Sequence, residues 1–164
     1  MRKAIRIFSG LLLGLSATMV LAQTPIKGIE MIDPWIRASV PGQTNGAGYL
    51  EIKNTNPEAI AIVSATSERS ARIELHTVSR EGGMARMREV EKIDIPANGS
   101  VKLAPGGFHI MFIGLTQPFK DGETVKVELK MNNGQSVLLP FVVRPATYLP
   151  SSQPSHTMMK GHQH

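Results

Sequence analysis

Turn-forming pairs and triplets interrupt this chain roughly every eight to fifteen positions, and that spacing constrains the fold more than any other feature. Pro41-Gly42, Asn56-Pro57, Gly82-Gly83, Asn98-Gly99, Pro105-Gly106-Gly107, Asp121-Gly122 and Asn133-Gly134 leave room only for short segments between them. Those segments alternate apolar with polar residues, and none carries a sustained helical apolar period. Strands are expected from Trp35 to Ser39, Gly48 to Asn54, Ile60 to Thr66, Arg72 to Val78, Met84 to Ile95, Val101 to Leu103, Phe108 to Leu115, Thr124 to Met131 and Ser136 to Arg144. About nine short strands predict an all-β domain, an antiparallel Greek-key β-barrel or sandwich. Asn133-Gly134 is the strongest local turn signal and suits a type I′ hairpin, with positive φ at both central residues. Pro140 inside the last strand predicts an edge position or a bulge. Asn98-Gly99-Ser100 has the form of a glycosylation sequon and reads as a turn.

The two ends differ from this body. Residues 1–22 open with Arg2, Lys3 and Arg6, run apolar from Ile7 to Leu21 and end in small residues, the pattern of a cleaved secretory signal peptide. No stable membrane insertion is expected after cleavage. Removing those three basic residues takes away most of the formal charge of +5. No Lys/Arg cluster interleaved with aromatics remains, so nucleic acid is not an expected partner. Residues 23–145 form one domain, and residues 146–164 are polar and rich in Pro, Ser, His and Met, as in a flexible tail. The chain is expected to act as a monomer.

The sequence has no cysteine but nine methionines and five histidines. Thiolate nucleophiles, redox disulfides, iron–sulfur clusters, blue-copper centres and lipoprotein anchoring at a cysteine are all excluded. Two histidines lie in the body, His76 and His109, and each has methionine close by. A four-residue loop at Arg80-Glu81-Gly82-Gly83 would place His76 directly opposite Met87, with Met84 on the other face. In Phe108-His109-Ile110-Met111-Phe112, alternation sends the three bulky residues to the core and His109 with Met111 to the opposite face. Singly, each of these residues is ordinary, since methionine fills core gaps and buried histidine finds hydrogen-bond partners. Together, two imidazoles and two thioethers select copper, Cu(I) in particular.

The spacing of His76, Met87, His109 and Met111 resembles the His-x10-Met-x21-His-x-Met signature of the PCu(A)C periplasmic copper chaperones. Pro34-Trp35-Ile36-Arg37, Gly46-Ala47-Gly48-Tyr49-Leu50, Glu74-Leu75-His76-Thr77, Met84-Ala85-Arg86-Met87-Arg88 and Pro105-Gly106-Gly107-Phe108-His109-Ile110-Met111 are also similar to family sequence. The resemblance spans Ile32 to Val143. It implies a cupredoxin-like barrel, one Cu(I) in an exposed His2Met2 site, a periplasmic address, and delivery to the copper-site subunit of cytochrome c oxidase, with Sco-type proteins as further partners. Some family members carry a His/Met-rich extension. Here His156, Met158, Met159, His162 and His164 would form a second, Cu(II)-favouring site in the tail. No catalytic triad or paired carboxylates can be picked out, so an enzyme is not expected. A periplasmic copper-storage or tolerance protein would use the same ligands and stands as the alternative.

Overall fold

The structure is a computed structural model that describes residues 25–150. The signal-peptide reading of residues 1–22 and the tail residues His156, Met158, Met159, His162 and His164 fall outside the described residues. Ten strands form: β1 (Ile29–Arg37), β2 (Asn45–Asn54), β3 (Ile60–Thr66), β4 (Ser70–Glu81), β5 (Met84–Glu89), β6 (Ile93–Ile95), β7 (Gly99–Leu103), β8 (His109–Leu115), β9 (Thr124–Met131) and β10 (Ser136–Arg144). They make one sheet in the order β5-β4-β8-β2-β1-β10-β9-β3-β6, with β7 paired to β2 beyond the stretch that β8 occupies. The sheet wraps around a single core and stays open between edge strands β5 and β6. Its pairs are antiparallel except β1 with β10, which run parallel.

Alternation drives this arrangement. In β9 every second residue from Val125 to Met131 is buried, and in β10 Val137, Leu139, Phe141 and Val143 do the same. Each large apolar side chain so removed from water contributes roughly 1.5–3 kcal/mol before entropy is counted. The face opposite the core is left for chemistry. A bulge in β1 sets which residues reach it. Between Ile32 and Trp35 the pairing with β2 skips one extra residue, with Asp33 in the left-handed region at φ 45°. Ahead of the bulge Ile29 and Met31 pack inward; behind it Ile36 does, so Trp35 and Arg37 turn outward.

Several expectations need correction. The stretch from Met84 to Ile95 is two strands, because residues 90–92 carry the chain from the β5 edge to β6 beside β3; no Gly or Pro marks the crossing. The first strand begins at Ile29, ahead of the expected start at Trp35. The Asn133-Gly134 connection has positive φ only at Gly134, and the Gly134 N–H donates to the Met131 carbonyl. It is therefore not a type I′ turn. That geometry fits Gly82-Gly83, at φ 59° and 81°, which joins Glu81 directly to Met84. Pro140 lies in an interior strand, but pairing with β1 begins only at Val142, so its missing N–H falls on a locally open side. Tyr148, expected in the flexible tail, packs edge-on against Trp35.

Close approach across β2 requires glycine. A Cβ at Gly46 would lie 2.6 Å from the ring of the fully buried Phe119. Gly46→Ala is expected to destabilise the domain by about 1–3 kcal/mol through overpacking, read as a lower urea midpoint with unchanged m-value.

Candidate metal centre

Three adjoining strands build the site. Register pairs His76 of β4 with His109 of β8 and Glu74 with Met111, and pairs Val78 with Met87 of β5. Residues 74, 76 and 78 share one face by the two-residue period of a strand, so His109, Met111 and Met87 share it too. The two imidazole rings are 5.6 Å apart between centroids. The expected direct opposition of His76 and Met87 does not occur, because the two-glycine turn shifts the hairpin register and gives His76 the partner Glu89. Met87 stands on the diagonal instead, a Cβ separation of roughly 7–8 Å that a methionine side chain can bridge. Met84 lies on the opposite face, as parity predicts.

Burial is graded across the site. His109 is 4% exposed and Met87 63% exposed, with His76 and Met111 between them. A uniformly exposed site is therefore not what forms, because Tyr49 on β2 and His76 flank the His109 ring. Ile110 and Phe112, the alternate residues of β8, are fully buried in the core and hold the strand in register.

Hydrogen bonds prepare the two rings differently. His109 Nδ1 donates to the Gly107 carbonyl at 3.1 Å, which leaves the Nε2 lone pair for a metal. His76 Nε2 donates to Glu74 Oε2 at 2.8 Å, while its Nδ1 is buried with no partner among the described residues. Arg72 holds the other Glu74 oxygen at 2.7 Å. Glu74, unassigned by the sequence reading, is thus part of the site; its place two residues before His76 was the available signal. The hydrogen bond from His76, with help from Arg72, lowers the Glu74 pKa. No three His, Cys, Asp or Glu side chains are grouped to hold a metal among the described residues.

Burial pushes the His109 pKa below the ordinary value, reinforced by the charge of His76 and partly offset by the Gly107 hydrogen bond. The unfolded chain then takes up a proton before the folded one does. Stability should accordingly fall as the pH drops below about 6.5 toward the lowered value. Denaturant midpoints of the metal-free protein are expected to decline over that window, and His109→Gln should flatten that part of the profile.

Comparison with known proteins places the chain in a family. Residues 29–143 match the family described as "Putative lipoprotein LpqE-like". A relative from Leifsonia xyli subsp. xyli, "Putative lipoprotein Lxx21020", is 34% identical over 136 residues, covering 78% of this chain and 81% of the relative. This chain belongs to the LpqE-like (PCuAC) family. Among solved structures, Cu(I)-bound DR1885 from Deinococcus radiodurans is 30% identical, with TM-score 0.58 over 76% of this chain and 81% of that one. The copper-bound PCuAC domain of PmoF2 superposes with TM-score 0.64 at 18% identity, over 76% of this chain and 99% of that one.

Proposed function

We propose that this protein is an exported copper carrier, taking up Cu(I) through His76, Met87, His109 and Met111 and releasing it to a copper enzyme outside the cytoplasm. The observation that carries the reading is the pairing of His76 with His109, with Met111 and Met87 on the same face of the adjoining strands. Two imidazoles and two thioethers are a soft donor set that favours Cu(I) over zinc, calcium or magnesium. Thioethers bind without deprotonation and form no disulfides, which suits an oxidising compartment, although oxidation to sulfoxide would disable them. Kinship with DR1885, solved with Cu(I), supports the choice of metal. The signal-peptide pattern of residues 1–22 and the relative's lipoprotein name support export, with the periplasm as the compartment.

The recipient in this reading is the copper-site subunit of cytochrome c oxidase, with Sco-type thiol proteins as further partners. Chelator competition checks the ligands. Replacing His76, His109, Met87 or Met111 singly is expected to weaken Cu(I) binding by about 10- to 100-fold or more. Intact affinity in two of the four variants would overturn the site. The tail residues His156, Met158, Met159, His162 and His164 supply a separate Cu(II) site in the same reading. A chain ending at Ser155 should lose that Cu(II) equivalent and retain Cu(I) binding; an unchanged Cu(II) stoichiometry would refute the second site.

A further inference from the structure

The outer face that carries the candidate ligands continues past them to two arginines with no ionic partner among the described residues. Arg37 at the end of β1 and Arg144 at the end of β10 are register partners in the parallel pair. The Arg37 guanidinium lies 5.9 Å from the centre of the Trp35 ring, and that of Arg144 lies 5.6 Å from Tyr148. Trp35 in turn contacts both Tyr49 and Tyr148, so the two cations rest on one aromatic platform. Arg69 and Arg72 are differently placed. Arg69 bonds Glu123 and two backbone carbonyls, and Arg72 is paired with Glu74. Arg37 and Arg144 make no salt bridge or side-chain hydrogen bond among the described residues, and each Nε is buried without a partner.

Two adjacent guanidinium groups repel one another, and burial of their Nε atoms adds a desolvation cost. Aromatic stacking holds each group in place and offsets part of that cost. What such a pair lacks is a carboxylate. Planar guanidinium groups match carboxylates in a two-pronged geometry, and groups already held by packing lose little freedom on binding one. The chain's own tail is a poor source, since residues 151–164 contain no Asp or Glu. An external protein is better placed. Strands in a sheet are about 4.8 Å apart, and the registers of β1 on β2 and of β2 on β8 bring Arg37 level with Ala47 and Met111, so Arg37 lies two strand spacings, roughly 10 Å, from Met111 on β8. A standard protein interface covers about 800 Å² per partner, enough for one footprint to span both.

We propose that Arg37 and Arg144 form the docking point for an acidic segment of the protein that receives the metal. This inference rests on the delivery reading above and adds to it the chemistry of the partner surface. Carboxylates at this point would steer the partner and fix its orientation while the exposed Met87 edge remains within its reach.

Two measurements on the mature chain test the proposal. In the first, a tetraglutamate peptide is titrated while the arginine Nε–Hε NMR signals are followed. Saturable shifts are expected at Arg37 and Arg144, weakening with salt and disappearing in Arg37→Gln/Arg144→Gln. Shifts confined to Arg80, Arg86 and Arg88 would overturn it, as would binding to phosphatidylglycerol vesicles with none to the peptide. In the second, Cu(I) transfer to the metal-free soluble copper domain of the oxidase is timed. The double variant should keep wild-type Cu(I) affinity but transfer several-fold more slowly, with a flatter salt dependence; wild-type rate and salt dependence would overturn the docking role. Failure of the wild-type protein to transfer copper at all would count against the delivery reading, and the peptide titration would still decide whether the arginine pair binds carboxylates.

Discussion

The antiparallel register of β4 on β8 is the constraint on which the site depends. It is held from the inside, where Leu75, Ile110 and Phe112 are buried, and read out on the other side as His76 beside His109 and Glu74 beside Met111. A slip of either strand by one residue would send its histidine into the core and its core residues into water, so the hydrophobic effect enforces the pairing of the imidazoles. Gly46 and Gly48 of β2 extend the same logic. By leaving room for Phe119 and Phe112, they let β2 close against β8 and bring Tyr49 beside His109.

Much of this was legible in the sequence because a strand's two-residue period is local. β3, β9 and β10 have the bounds that alternation and turn residues predict, and the core and outer faces of β8 follow directly from Phe108 to Phe112. What escaped depends on backbone conformation or long-range pairing. Gly82 and Gly83 can serve in a two-residue turn or a four-residue loop, and only their φ angles decide between them. Both registers leave Met87 on the same face because they differ by two residues. The break at residues 90–92, the parallel pairing of β1 with β10 and the bulge at Asp33 leave no periodic trace. The salt bridge from Glu74 to His76 joins residues on one face of one strand, and parity alone could have suggested it.

The gradient of burial gives the proposed carrier a direction. His109 is enclosed, its ring fixed by Gly107, whereas Met87 sits on an edge strand whose residues are all exposed. A ligand held by a buried, oriented imidazole is costly to withdraw, while an exposed thioether can swing away with little loss of packing. Exchange with an incoming partner would therefore begin at Met87 and end at His109, so the ion need not be released to solvent between donors.

Glu74 bears on the last stage of that exchange. Its carboxylate already accepts a hydrogen bond from His76 Nε2 and is held on its other oxygen by Arg72. A metal ion bound at Nε2 would displace this bond and its departure would let the bond re-form, whereas an ion held at the unpartnered Nδ1 would leave it in place. With Nε2 as the ligand, the metal-free state would be stabilised by an interaction that the loaded state gives up, which would weaken retention without removing any ligand. A storage protein gains nothing from such a competitor. A carrier of the kind proposed would, because the carboxylate would take over the imidazole as the partner takes over the metal.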